Sequence, residues 1–291
     1  MDFQHILVGL DVTESGAELT SGSRLAYRHA VALADQVGAR VDLVHSTAGD
    51  RYVEQGAHTF RLVHEGLPDR AQAEMLELVA ERGRAGHDTR LLVRKEKPWV
   101  AISEEAKDSG SDLIVLGKHN EEETGARIGS VAKKVIHGAP CSVWVVRPGG
   151  PPIPHRVLAA VDTSEVGATV LAVAAALSKL EHAELHVAHA WQVSMEAQLA
   201  RSEAAGGAEE LQAKARTHME RLLSEAGLSD AELHLACSAP YHFIGELAAK
   251  LNPDLVVMGT VSRSGLPGWL LGNTAERMLA NLSCSLLTVK P

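Results

Sequence analysis

The chain has 291 residues, a length that fits two domains of ordinary size, each able to bury its own core. Lys and Arg number 28 against 37 Asp and Glu, a net charge of −9, so the surface repels a phosphate backbone and no nucleic-acid partner is expected. Three cysteines exclude a disulfide scaffold, and no apolar run approaches the roughly 18 residues of a membrane span. The opening stretch MDFQHILVGLDV lacks the basic start and long apolar core of a signal peptide. A cytoplasmic protein without membrane insertion is the expectation.

In chain order, short β-rich apolar runs alternate with longer helical stretches. HILVGL (5–10) reads as a first strand ending at Asp11. SRLAYRHAVALADQVG follows as a helix, with Gly38 placed as its C-cap. Further strands read as RVDLVHS (40–46), TRLLVR (89–94), DLIVLG (112–117) and SVWVVR (142–147). The segment 147–154, RPGGPPIP, reads as a short linker, because Pro lacks a backbone donor and Gly resists regular structure. A second series begins with RVLAAV (156–161), where a strand leads to Asp162 and a helical stretch GATVLAVAAALSKL. AELHVAHA (183–190), ELHLAC (232–237), DLVVMG (254–259) and SLLTV (285–289) complete it. The charged segment 191–226 reads as a loop or broken helix, then a firm helix; 48–64 reads as a surface excursion.

The two series are one unit repeated. ILVGLDVTE recurs as VLAAVDTSE at an offset of 151, DLIVLG as DLVVMG at 142, and CSVWVVRP as CSLLTVKP at 143, in the same order. The expected division is 1–148, a linker at 149–154, and 155–291. Strand–helix alternation with continuously apolar strands predicts two tandem Rossmann-like α/β domains. Each is a five-stranded parallel sheet with helices on both faces. If the strand order is 3-2-1-4-5, strands one and four are neighbours where the order reverses. Asp11 and Gly117 would then face one crevice, and Asp162 and Gly259 another. The last strands SVWVVR and SLLTV could pair edge to edge, which would cover edges that otherwise invite aggregation. Pairing of two chains into a homodimer stays open.

After each fourth strand comes a Gly-containing loop and then a helix. Gly admits a phosphate close to the backbone, and a helix N-terminus adds free N–H donors. Gly129-Ser130 and Gly272-Asn273-Thr274 sit where those helices begin. This combination of DVTES or DTSE, DLVVMG, a Gly-rich loop and GNTAERML before CSLLTV resembles the universal stress protein family. The GTV…LGNTAE string is similar to the second domain of its E-type tandem members. In nucleotide-binding members the loop runs Gly, two residues, Gly, nine residues, Gly, then Ser or Thr. In the second copy Gly259 and Gly272 match that spacing, with Ser262 at the second Gly and Asn273 at the final position. In the first copy Gly117, Gly129 and Ser130 match; Asn120 replaces the second Gly, the loop is one residue shorter, and Glu121, Glu122 and Glu123 oppose a triphosphate.

The resemblance therefore implies a stress-response binding or signalling module. ATP or another small ligand would sit in the second domain, with Asp162 toward the adenosine end and the Gly272-Asn273 turn toward the phosphates. Two alternatives stand beside it: an interaction protein with degenerate, nucleotide-free pockets, and a weak ATP-hydrolysing enzyme. No base, metal site or paired carboxylate stands out, so no enzyme is expected. Cys141 and Cys284 hold equivalent positions and read as core packing, with Cys237 more exposed. Of the 15 His, His186 and His189 share a strand at odd spacing and point to opposite faces. His182 with His186, or His119 with the Glu run, could gather a metal; solvated surface histidine is the expected reading for most.

Overall fold

The computed structural model describes residues 3–13, 16–47, 69–118, 129–180, 182–191, 207–260, 277–278 and 282–290. The first domain contains β1 (His5–Leu10), α1 (Ser21–Val37), β2 (Arg40–Ser46), α2 (Asp69–Arg84) and β3 (Leu91–Arg94). It continues with α3 (Pro98–Ser109), β4 (Leu113–Gly117), α4 (Ser130–Gly138) and β5 (Ser142–Val146). The second contains β6 (Arg156–Ala160), α5 (Glu165–Leu180), β7 (Glu184–Trp191), α6 (Gly207–Glu225) and β8 (Glu232–Cys237). It ends with α7 (Pro240–Leu251), β9 (Leu255–Gly259) and β10 (Ser285–Val289). The expected strands are all present, with several ends shifted by a residue or two, β7 running on to Trp191. Segment 48–64 and the first part of 191–226 lie outside the described residues, and the firm helix expected after it is α6.

The ten strands form one sheet, ordered β3-β2-β1-β4-β5-β10-β9-β6-β7-β8. Each domain therefore has the 3-2-1-4-5 order, with parallel pairing inside it. The seam is the antiparallel pair of last strands, with Trp144 opposite Leu287. Thr288 Oγ1 donates to the Val143 carbonyl across it, 3.1 Å away. The antiparallel join gives each last strand a second partner and leaves β3 and β8 as the outer strands.

Helices cover both faces. On one face α1, α2, α5 and α6 pack through Leu33, Met75, Val170 and Met219 into a cluster that crosses the seam at Trp144 and Leu287. On the other, α3, α4 and α7 pack through Ile102, Val135 and Leu247, with Val143 and Leu286 at the seam. Cys141 and Cys284 are partly buried against this second core, as their equivalence implied. Burial raises their thiols to about 12 and about 11, which leaves them weak nucleophiles. Cys237 is exposed.

The landmarks of the repeat have local jobs. Asp112 accepts from the backbone N–H of Gln4 (2.8 Å), and Asp254 accepts from His155 and Arg156 (2.9 and 3.0 Å). The Asp of each DLIVLG-type run thus fastens the start of its domain's first strand. Thr20 caps α1 by accepting from Ser23 N, and Gly38 closes it with φ 75 and its N–H on Ala34. The linker is more than a spacer, since Ile153 is buried in the first core.

Candidate functional site

The order reversal between β1 and β4 creates a crevice outside the carboxyl ends of the first domain's strands, as such sheets predict. Asp11, Gly117, Gly129 and Ser130 all line it, so the four first-domain residues singled out in the sequence come together. The space encloses about 230 Å³. Val44, Pro98, Ile102 and Val145 form an apolar wall, while Thr20, Ser23, Ser46 and Lys118 were not foreseen and add polar groups. Each of these follows from one rule: residues at the carboxyl ends of adjacent parallel strands, and the helix turns after them, face the same opening.

Asp11 is held by its backbone and leaves its carboxylate at the opening. Its N–H donates to Ser23 Oγ (2.7 Å), whose hydroxyl returns a bond to the Asp11 carbonyl (2.9 Å). The Asp11 carboxylate accepts from Val12 N at 2.9 Å. On the other side, α4 starts at Gly129 with φ −59 and has no side-chain cap. Its first N–H groups and its partial positive end adjoin the crevice.

The glycines of this site differ in kind. A Cβ on Gly117 would sit 1.8 Å from the Gly22 carbonyl oxygen, so β4 and the first turn of α1 touch backbone to backbone. Gly117 is therefore required by packing. Gly129 has an ordinary φ, and a Cβ there would meet no described atom within 4 Å. The chain's own described structure does not demand glycine at that position, whereas a ligand pressed against the helix start would.

In the second domain Asp162 Oδ1 accepts from Ser164 N (3.0 Å) and from the Ser164 hydroxyl. A Cβ on Gly167 would fall 2.0 Å from the Asp162 carbonyl oxygen, so α5 starts tight against the end of β6. Gly259 ends β9, where a Cβ would meet Val166 Cγ1 at 2.7 Å. Ser262, Gly272, Asn273 and Thr274 lie outside the described residues, as do Asn120, Glu121, Glu122 and Glu123.

Four histidines depart from the surface reading expected for most of them. His29, His45, His186 and His189 are buried, although His182 is exposed. His45 on β2 and His189 on β7 are equivalent, and each places Nδ1 on the carbonyl just before the domain's Asp: Leu10 at 3.1 Å, Val161 at 2.8 Å. These imidazoles are struts within the fold, and their bonds to backbone carbonyls make burial affordable. His186 does not group with His182; it meets Glu232 and His234 instead. Among the described residues no helix is long and apolar enough to cross a membrane.

Comparison with known proteins agrees with this architecture. The model of the universal stress protein family matches twice, over residues 2–147 and 154–290. A Universal stress protein E homolog from Haemophilus influenzae is 29% identical over 203 residues, which span 66% of this chain and 66% of that protein. Universal stress protein E from Photorhabdus laumondii is 22% identical over 100% of this chain and 96% of its own length. A crystal structure of a functionally unknown protein from Pseudomonas aeruginosa superimposes with a TM-score of 0.74 at 23% identity, covering 99% of this chain and 93% of that one. A universal stress protein from Archaeoglobus fulgidus gives 0.67 at 17% identity, covering 98% of each. With the family model matched once in each half and the strand order repeated in both, the chain belongs to the universal stress protein family as a tandem member of the E type.

Proposed function

We propose that the protein is a non-enzymatic stress-response binding module that takes a nucleotide-class ligand, ATP first among candidates, outside the carboxyl ends of its strands. The observation that carries this reading is the convergence of Asp11, Gly117, Gly129 and Ser130 on one crevice. A base would lie against Val44, Ile102 and Val145, ribose hydroxyls would donate to Asp11, and phosphate oxygens would accept from the α4 N-terminus. Lys118 adds positive charge at the same lip. Taking 1–148 and 155–291 as two binding units joined at 149–154, the equivalent seat in the second would use Asp162, Gly259, Ser262, Gly272, Asn273 and Thr274. The intact Gly259-to-Gly272 spacing supports it.

Equilibrium titration with ATP and Mg²⁺ tests both seats. Gly129→Ala leaves the described packing untouched and is expected to weaken first-domain binding roughly tenfold or more, by placing a methyl where a phosphate would rest. Gly272→Ala is expected to do the same to the second. A wild-type chain that ignores ATP, or variants that bind as the wild type does, would overturn the reading.

A further inference from the structure

The two domains place different ionisable groups at the same position under the sheet. Asp42 on β2 stands opposite Leu7 of β1, and His186 on β7 opposite Leu158 of β6, so they are equivalent positions. Both are buried, on the face covered by α3, α4 and α7. In the first domain the buried anion is answered by two arginines and a histidine of the chain itself. Arg90 reaches Asp42 at 2.6 Å, His5 at 2.9 Å and Arg40 at 3.0 Å. Burial alone would raise this carboxyl, but the bonds from His5 and Arg90 hold it well below the usual carboxylate range.

In the second domain the flanking arginines give way to glutamates. Arg40 is replaced by Glu184, Asp42 by His186 and Arg90 by Glu232, which lies opposite His186 across the β7–β8 ladder. His234, two residues along β8, faces the same way as Glu232. His186 Nδ1 is 3.1 Å from His234 Nε2 and 3.2 Å from Glu232 Oε2. His234 Nε2 is 3.7 Å from the other Glu232 oxygen. Donors held at about 2.0–2.1 Å around a tetrahedral cation are separated by about 3.4 Å, which these spacings bracket. Arg156 is engaged elsewhere, on Glu184 (2.7 Å) and the Leu251 carbonyl. Lys250 is near enough for its charge to act on His234.

We propose that His186, Glu232 and His234 bind a divalent cation of the zinc class, with a fourth position left to solvent. Two imidazoles and one carboxylate suit a borderline-soft metal better than Mg²⁺ or Ca²⁺. Glu184 Oε1 lies 3.1 Å from His186 Nε2, off the axis of a direct hydrogen bond, and favours the ring proton on that far nitrogen. Without metal, a proton must sit between His186 Nδ1 and His234 Nε2. Binding moves it to His234 Nδ1, and both facing lone pairs then point at the cation. The site lies at the amino ends of the second domain's strands, away from the crevices at the carboxyl ends. It would rivet the outer strand β8 to β7.

Titration of the chelator-treated full chain with Co²⁺, then competition by Zn²⁺, tests the assignment. The expected result is visible absorption of tetrahedral cobalt, saturating near one per chain, and a higher melting temperature with Zn²⁺. Glu232→Gln alters an exposed side chain and His234→Asn a mostly buried one. Each should lower affinity at least roughly 10–100-fold and abolish the thermal shift. Absence of tetrahedral absorption, or variants that bind as tightly as wild type, would overturn it. A low-temperature circular dichroism spectrum matching wild type separates lost metal from lost fold, and Glu232→Gln alone suffices if His234→Asn fails that check.

Discussion

A single missing side chain serves different ends at equivalent points of the repeat. At Gly117 it allows two backbones to touch, since the obstacle to a Cβ is the Gly22 carbonyl. At Gly259 the obstacle is the end of the Val166 side chain, which can turn aside. Gly117→Ala should therefore cost about 3 kcal/mol of stability and Gly259→Ala about 1 kcal/mol, read from urea midpoints of the full chain. Equal costs would mean that the backbone contact relaxes as easily as a methyl rotates. The Gly117 and Gly259 motif positions were legible in the sequence, but their packing duty was not. Nothing in a string of letters says that residue 22, nearly a hundred positions earlier, presses on residue 117.

Packing between elements makes the molecule sensitive to acid. His29 on α1 is buried edge-on against Trp144 of β5, ring centroids 5.4 Å apart. Burial, helped by the charge of Arg28, lowers it to about 4. The unfolded chain then binds more protons than the folded one between about pH 4 and 6.5, so this contribution is complete above 6.5 and is lost as pH falls. By pH 5 the loss should be about 2 kcal/mol, and His29→Gln should flatten that part of the stability–pH curve. A variant curve parallel to wild type would assign the acid response to other groups. The elements themselves read well from the sequence, because short apolar runs such as HILVGL and DLIVLG, alternating with longer helical stretches, fit strands buried on both faces. Burial of histidines read poorly. His45 and His189 look like surface residues until the fold brings the carbonyls of Leu10 and Val161 to their rings. The crevice was legible through Asp11 and Gly129, while Ser46 and Lys118 became visible only once strand order fixed which ends meet.

For the molecule as a whole, the decisive feature is that two domains share one sheet and two continuous cores. The antiparallel pairing at Trp144–Leu287 and the two cores that run across the seam hold the halves together independently of the chain that joins them. Protease cleavage near 149–152 should leave a nicked protein that elutes at the size of the intact chain. Two separate fragments on size-exclusion chromatography would show that the seam depends on its tether. An edge-to-edge pair of separate identical chains must obey its twofold axis, so every substitution appears twice and any new charge meets its own copy. Joining the copies in one chain lifts that rule. Each half can then change alone, and a buried acid in one can be a histidine at the mirrored address in the other. The seam thus converts a symmetric object into one with two independently inherited halves, free to keep one ligand seat while remaking the other.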